Sequence, residues 1–326
     1  MSHPPNADAR IRAVAIMGAT ATGKSALAIS LAEAFDGEII SMDSRQAYRG
    51  LDIGTGKVSR DDRARVPHHL IDILDVSEYG SAGRHVVATE TAIRDIAARG
   101  RVPILAGGTG LYFRALFGGL VAVVIPRDEL EKIRSTFAGR ETPELHAELA
   151  RFDPARAATL SVNDRVRVTR ALELIAYTGT PVSDLYAQPR TGAEDVVYLK
   201  LVLSMPRALL RQRIAERTKQ LFDAGWVDEV RGLLARQTPL DAPGMRSLGY
   251  GTIAAALVAG TDPQGCLGAV TTATHQYAKR QETFFRSEKD AVWIDVSQPG
   301  ATARAHELAG GFLRGDALNN NLTQSR

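Results

Sequence analysis

The sequence predicts an α/β fold, in which a parallel sheet core carries an inserted helical domain and is followed by a helical C-terminal region. Three observations lead to this prediction. In the first 120 residues, short apolar runs alternate with helical patterns, as they do in parallel α/β sheets. A glycine-containing loop directly follows the first apolar run and precedes a helical pattern. Between about residues 121 and 195, strand signals vanish and helical stretches replace them.

Each element has its own local signal. Six apolar runs are the predicted strands of the sheet: residues 13–17, 38–41, 70–74, 102–106, 196–203 and 292–295. Helical spacing, ended at several points by glycine or proline, predicts helices over residues 26–32, 82–99, 127–137, 143–152, 164–177, 206–224, 227–235 and about 265–288. The predicted domain division is a first part of the core, the inserted helical domain, a second part of the core and a disordered tail, over residues 1–120, 121–195, 196–315 and 316–326.

Composition narrows the class of protein. The 326 residues are long for one core and suit a main domain with an insertion. A single cysteine, Cys266, cannot form an internal disulfide, which favours the cytoplasm. No apolar stretch approaches the roughly 20 residues that span a bilayer, and residues 1–12 are polar, so neither a membrane segment nor a signal peptide is expected. A net charge of +3 does not by itself argue for nucleic acid, and without a dimerisation signature a monomer is expected.

The loop after the first apolar run has the spacing G-x-x-x-x-G-K-[ST], in which backbone N–H groups wrap a di- or triphosphate. Its residues are Gly18, Ala19, Thr20, Ala21, Thr22, Gly23, Lys24 and Ser25. Lys24 supplies a charge for the terminal phosphate, and Ser25 a hydroxyl suited to Mg²⁺. The helix that follows points its positive N-terminus at the same anion. The predicted core is therefore P-loop NTPase-like.

Two more polar loops follow predicted strands, where the ligand crevice of an open α/β sheet lies. Residues 43–46 follow the second strand, and residues 107–110 follow the strand at 102–106. Asp43 could bind metal, accept a proton or cap the next helix. Thr109, among three glycines, could either belong to a tight turn or hold its hydroxyl close to a ligand.

Adjacent histidines, His68 and His69, invite a metal interpretation. Neighbouring side chains on a strand point to opposite faces, which makes these two poor co-ligands and favours a structural role. Asp72 ends an apolar run as a Walker-B acid would, but that pattern is loose.

A basic segment over residues 275–286 mixes cations, amides and aromatic side chains. Such a charged run is usually a solvated helix face, although its composition also suits a nucleic-acid backbone. The predicted insertion offers a parallel set: Arg165, Arg167 and Arg170.

These segments together resemble one known family, the tRNA dimethylallyltransferases or tRNA isopentenyltransferases, of the bacterial type. The resemblance runs from about residue 13 to 295. Its motifs are residues 18–25, 43–55, 67–72, 81–84, 107–112, 163–164, 167, 170–173, 249–250 and 277–281. The sequence lacks the zinc-finger extension of eukaryotic members. Together these motifs are highly specific, whereas the phosphate loop alone is not.

The resemblance implies transfer of a dimethylallyl group from dimethylallyl diphosphate to N6 of the adenosine just 3′ of the anticodon, in tRNAs that read codons beginning with U. The loop then holds the diphosphate of a prenyl donor, with Mg²⁺ on Ser25, and not ATP. Lys24 stabilises charge on the departing diphosphate. Asp43 is the implied general base for the adenine amine, and Thr109 orients donor and base.

The resemblance also implies that the partner is the tRNA anticodon stem-loop, with its target base swung out into the protein. The implied tRNA contacts are Asp43, Ser44, Arg45, Gln46, Thr109, Val166, Arg167, Val168, Thr169, Arg170, Lys279 and Arg280.

Four positions differ from the family pattern. Ala19 stands where proline is common, and Phe284 replaces a common tryptophan. His275 stands where arginine is usual, so that phosphate contact is not carried over. Glu131 stands where members often carry an arginine that touches tRNA, so that contact is not carried over.

Three other functions stay open on sequence grounds. An adenylate isopentenyltransferase would prenylate free AMP, but those relatives lack most of the helical insertion and the basic helix. A nucleotide kinase or ATPase would turn over ATP without a prenyl donor. A non-catalytic RNA-binding protein is the third, although intact Lys24, Ser25, Asp43 and Thr109 argue against it.

Overall fold

A six-stranded, fully parallel sheet is the centre of the computed structural model, which describes residues 10–118, 123, 125–187 and 195–316. Its strands are β1 (Ile11–Gly18), β2 (Gly37–Ser41), β3 (His68–His69), β4 (Val102–Gly107), β5 (Val196–Ser204) and β6 (Ala291–Asp295). They lie in the order β3-β2-β4-β1-β5-β6, and every neighbouring pair is parallel. The predicted parallel α/β core is confirmed.

Fourteen α-helices occur in these described ranges. They are α1 (Lys24–Ala34), α2 (Arg60–Arg65), α3 (Ala82–Ala98), α4 (Gly110–Gly118), α5 (Arg127–Ser135), α6 (Thr142–Phe152), α7 (Pro154–Ala158), α8 (Arg165–Thr178), α9 (Val182–Ala187), α10 (Arg207–Asp223), α11 (Trp226–Ala235), α12 (Tyr250–Val258), α13 (Leu267–Phe285) and α14 (Ala301–Arg314). Short 3₁₀ helices occupy Gly244–Arg246 and Pro263–Cys266. All eight predicted helices form, with ends shifted by at most three residues.

The sequence does not predict the other six helices, most of which are short. α2, α7 and α9 have five or six residues each, too few to show a periodic pattern. α14 is longer but carries Gly310 and Gly311 in its interior. Burial of Leu308 and Phe312 against the sheet outweighs the low helix propensity of these glycines.

The chain divides into two compact units. One comprises the residues up to Arg114 together with those from Ala193 onward, and it holds the sheet. The other is Ala115–Gly192, which contains α5 to α9 and, among its described residues, no strand. Its core includes Leu145, Leu149, Val168 and Leu172. The predicted insertion boundary at residue 121, and all of the predicted tail over 316–326 except residue 316, lie outside the described residues.

β1 is buried over its last six residues because helices cover both faces of the sheet. Val14 and Ile16 point to one face, where they join a core with Leu27 and Leu31 of α1. Packing on both faces therefore fixes the position of the carboxyl end of the strand, Gly18.

The carboxyl ends of β2 and β4 approach each other closely at Gly107. A Cβ on this residue would lie 2.1 Å from the carbonyl oxygen of Met42, which is backbone and cannot move aside. Backbone hydrogen bonds flank the contact, since Met42 N donates to Ala106 O at 2.8 Å and Thr109 N donates to Met42 O at 3.2 Å. Only glycine fits this position.

The strand predicted over residues 70–74 is wrong. β3 ends at His69, and Leu70 and Asp72 both have left-handed backbones, with φ of 61° and 57°. The Asp72 carboxylate is turned toward Lys57 Nζ at 2.6 Å and Arg63 Nη1 at 2.8 Å, so ion pairing in a turn replaces sheet pairing.

None of the helices in the described ranges is long and apolar enough to cross a membrane.

Gly107→Ala is expected to destabilise the sheet unit by about 1–3 kcal/mol or more, because its Cβ must push two backbones apart. Gly232→Ala is the matched control: no atom lies within 4 Å of a Cβ there. Since Gly232 lies within α11, alanine should stabilise by about 0.5–1 kcal/mol. Urea unfolding followed by fluorescence reports on this unit, which contains both tryptophans, Trp226 and Trp293. Equal midpoints for the two variants would contradict the packing argument.

Candidate active site

The phosphate loop forms where the motif requires it, between β1 and α1. Gly18 has φ of 143°, and a Cβ on it would lie 2.5 Å from the carbonyl oxygen of Leu203 on β5. Gly23, which begins α1, has φ of 90°. Thr22 Oγ1 donates to Ala19 O at 2.9 Å across the loop. Glycine is thus required at one end for space and at the other for backbone angle.

Two cations of this site lack an acidic partner. Lys24 Nζ donates to Ala19 O at 2.6 Å, and burial lowers the pKa of Lys24 to about 8, with the Asp43 charge opposing the shift. Arg217 of α10 makes no ion pair or side-chain hydrogen bond with any described residue, and burial lowers its pKa too. The Arg217 charge also lowers the Lys24 pKa, so the two cations are near each other. Half-buried cations without an ion-pair partner favour an anionic ligand.

Asp43 occupies the turn after β2. Its Oδ1 accepts from the backbone N–H of Arg45 at 2.8 Å and of Gln46 at 3.4 Å, the local cap that the sequence allowed. Its other oxygen has no hydrogen-bond partner in the part of the chain that the structure describes. Burial raises the pKa of Tyr277 to about 12, and the nearby Asp43 charge adds to this increase. One oxygen therefore holds the turn while the second is available to a ligand.

Thr109 fixes this turn from the neighbouring loop. Its Oγ1 accepts from Ser44 N at 3.0 Å and lies 3.4 Å from Ser44 Oγ. The Gly107–Gly110 loop and the Asp43 turn are thus joined by both backbone and side-chain bonds. The predicted meeting of three loops at the carboxyl ends of β1, β2 and β4 is what the geometry shows.

A cleft of about 820 Å³ opens between these loops and α10 and α13. Its lining includes several polar side chains: Lys24, Ser25, Asp43, Arg45, Gln46, Arg217, Tyr277 and Gln281. Ser44 and Thr109 are not lining residues. The hydrophobic surface of the cleft comes mainly from Leu221 and Leu248, because Ile214 and Trp226, which lie behind it, are each 1% exposed. The cleft can therefore hold a ligand with an anionic end and a short apolar end.

Arg217 and Gln281 are the functional candidates that sequence reasoning missed. Arg217 lies within a helix of many charges and no motif marks it. Gln281 belongs to the basic segment, but its amide is buried, with Oε1 accepting from Thr20 N at 2.9 Å and Nε2 donating to Gly108 O at 2.8 Å.

Metal ligands are sparse. The described residues contain no group of three or more His, Cys, Asp or Glu side chains placed to hold an ion. His69 instead pairs with Glu38 at 2.6 Å, and His68 Nδ1 bonds Val66 O, in keeping with structural roles. Ser25 is exposed in the cleft at the start of α1. One hydroxyl fits Mg²⁺ only as a single ligand, with phosphates and waters supplying the remaining oxygens.

The residues predicted to contact tRNA differ in exposure. Lys279 and Arg280 are exposed on α13, and the Arg280 guanidinium lies 5.8 Å from the Tyr277 ring. His275 bonds Arg211 O at 3.1 Å, and Glu131 pairs with Arg127.

In the helical unit, Arg167 and Val166 are exposed, while Arg170 pairs with the buried Glu173. Thr169 Oγ1 donates to Arg165 O. The Val168 side chain is fully buried in the core of this unit, so the tRNA contact predicted for this residue could be made only by its backbone.

Comparison with known proteins decides the family. The family described as IPP transferase matches residues 46–288, and that described as Isopentenyl transferase matches residues 11–67. A tRNA dimethylallyltransferase of Methylococcus capsulatus is 44% identical over 295 residues, covering 90% of this chain and 95% of the relative. One from Thiobacillus denitrificans is 45% identical over 307 residues, covering 92% and 97%. The chain belongs to the tRNA dimethylallyltransferase family.

Solved structures agree with this family and with the P-loop NTPase-like core. A full-length tRNA isopentenylpyrophosphate transferase from Bacillus halodurans is 32% identical with a TM-score of 0.68, covering 94% of this chain and 97% of that one. A eukaryotic dimethylallyltransferase captured acting on tRNA is 26% identical with a TM-score of 0.82, covering 96% and 82%.

In this family member, Lys24 should give diphosphate binding a pH dependence. Since burial lowers the Lys24 pKa to about 8, the ammonium form is lost as pH rises through that value. The affinity for inorganic diphosphate, measured by calorimetry, should fall by up to about tenfold per pH unit above that pKa. The control is Lys24→Arg, whose guanidinium stays charged, so its affinity should not show this fall. Parallel pH profiles for the two proteins would rule out Lys24 as the titrating group.

Proposed function

We propose that this protein transfers a dimethylallyl group from dimethylallyl diphosphate to N6 of the adenosine 3′ of the anticodon, in tRNAs that read codons beginning with U. One observation carries the proposal: a single cleft combines two cations that lack acidic partners with an aspartate whose second oxygen is available. Membership of the tRNA dimethylallyltransferase family supports the choice of donor and acceptor. As a tRNA-modifying protein it works in the cytoplasm, as a monomer.

The donor diphosphate lies on the Gly18–Ser25 loop. Backbone N–H groups of the loop, Lys24 and Arg217 surround it with positive charge, which gains strength as the leaving group acquires charge. Ser25 would hold Mg²⁺, which when bound neutralises part of the diphosphate charge. The apolar lining at Leu221 and Leu248 would receive the five-carbon prenyl group.

The acceptor adenine faces Asp43. The N6 amine attacks C1 of the donor, the new N6–C1 bond forms, and the C1–O bond breaks with both electrons leaving on the diphosphate. The surplus N6 proton passes to the second carboxylate oxygen of Asp43. Thr109 holds the turn that aims this carboxylate, through its bond to Ser44 N.

The anticodon stem-loop binds outside the cleft. Exposed cations, Lys279 and Arg280 on α13 and Arg167 and Arg170 on α8, contact its phosphates. Arg45 and Gln46, which line the cleft, contact the target nucleotide, whereas Ser44 does not line it. An adenine within an anticodon loop must leave its stack to reach a recessed carboxylate, so the base flips out.

The decisive assay incubates the protein with labelled dimethylallyl diphosphate and unmodified tRNA, and digests the tRNA to nucleosides. Label on N6 of the adenosine 3′ of the anticodon is the expected result. Label on free AMP in a parallel reaction without tRNA would favour an adenylate isopentenyltransferase. ATP turnover without any prenyl donor would favour a kinase.

Asp43→Asn should lower the single-turnover rate by about 10²–10⁴, the usual range for a lost general base. The asparagine Oδ1 still accepts from the N–H groups of Arg45 and Gln46, so the turn is retained. We expect tRNA affinity to change much less than the rate, since most of that affinity comes from phosphate contacts that Asp43 does not make. A near-normal rate with saturating substrates would remove Asp43 from the role of base.

Replacing Lys279 and Arg280 together by alanine should weaken tRNA binding and flatten its salt dependence. Each lost phosphate contact removes about 0.7–0.9 from the slope of log K against log salt, so the slope should change by roughly 1 to 2 units. The control replaces Arg304 and Arg314 on α14 by alanine and should leave the slope unchanged. If both double variants match the wild type, the α13 cations are ordinary solvated charges.

A further inference from the structure

Gln281 has a position that the reaction steps above do not use. It lies on α13 with its side chain buried, and both ends of its amide are engaged by loops of the cleft. Its Oε1 accepts from Thr20 N at 2.9 Å, and its Nε2 donates to Gly108 O at 2.8 Å. One side chain therefore joins the phosphate loop to the glycine loop after β4.

Gly108, on the other side of this contact, leaves room for the Gln281 amide. A Cβ on Gly108 would lie 2.3 Å from Gln281 Nε2, so a side chain there would force the amide to move. Gly108 thus leaves the space that the amide fills, and Gln281 satisfies the Gly108 carbonyl, which is buried, as well as the half-buried N–H of Thr20.

The two bonded loops belong to different halves of the proposed reaction. Thr20 lies in the loop proposed to hold the diphosphate. Gly108 precedes Thr109, whose hydroxyl accepts from Ser44 N beside Asp43. A shift of the amide would therefore change the distance between the leaving group and the base.

We propose that Gln281 is a positioning residue, which sets the spacing between the donor loop and the acceptor-side loop without touching the reacting atoms. This inference rests on the proposed function. Displacement of reacting groups by about 1 Å can cost on the order of 100-fold in rate. The expected signature is therefore a loss in the rate constant at saturation, not a loss of tRNA affinity.

The test compares Gln281→Leu, Gln281→Glu and Gly108→Ala with Gln212→Leu. Gln212 is an exposed glutamine on α10 whose side chain, among the described residues, bonds only Glu216. Single-turnover transfer is measured with both substrates saturating, alongside tRNA affinity and the thermal midpoint. Gln281→Leu and Gly108→Ala should slow transfer by about 10- to 100-fold with tRNA affinity within about twofold of the wild type. Gln212→Leu should match the wild type.

The Gln281→Glu variant distinguishes a positioning role of Gln281 from a folding defect. An ionised glutamate accepts from Thr20 N but cannot donate to Gly108 O, whereas a protonated one can do both. The ratio of variant to wild-type rate should therefore rise as pH falls. A constant ratio, or wild-type rates in both Gln281 variants, overturns the proposal.

Binding of inorganic diphosphate separates this inference from the proposed function. Loss of the Thr20 anchor in Gln281→Leu should weaken diphosphate affinity by about 5- to 10-fold, as expected for one hydrogen bond, and Gln212→Leu should leave it unchanged. This readout holds even if the wild type transfers no prenyl group to tRNA. Unchanged affinity in Gln281→Leu contradicts the positioning role.

Discussion

At Gly107, the end of β4 lies against the Met42 carbonyl so closely that a Cβ would come within 2.1 Å of its oxygen. The rest of the cleft depends on this approach. It brings Thr109 within reach of Ser44 N, which fixes the Asp43 turn. Because parallel strands end at the same edge of a sheet, the phosphate loop after β1 faces the same space. Polar groups of three chain segments thereby share one cleft.

Two half-buried cations without ion-pair partners set the charge of the cleft. Burial lowers the pKa values of Lys24 and Arg217, and neither side chain forms an ion pair with a described residue. The free energy spent on burying these cations is recovered when an anion binds. Asp43 is close enough to influence both charges, yet it makes its hydrogen bonds to backbone N–H groups. This separation suits a reaction in which positive charge attracts the leaving group and a carboxylate receives a proton.

Local patterns predicted much of this structure from sequence, and long-range contacts account for the rest. The phosphate loop was predictable because its strand, glycines and helix are contiguous in the chain. The apolar run at 70–74 led to a wrong strand prediction, because a hydropathy pattern does not show the ion pairs of Asp72 with Lys57 and Arg63. Arg217 and Gln281 reach the cleft only through the packing of α10 and α13. Val168 sits within a basic stretch but faces a core, a distinction that depends on helix phase.

The central claim is that one cleft aligns a prenyl diphosphate with an adenine amine. A crystal structure with an unreactive dimethylallyl diphosphate analogue and an anticodon stem-loop tests it most directly. The account predicts phosphate oxygens against the loop amides, Lys24 and Arg217, and the adenine N6 within hydrogen-bond distance of Asp43. An adenosine bound outside the cleft, or a diphosphate that contacts neither cation, would contradict it.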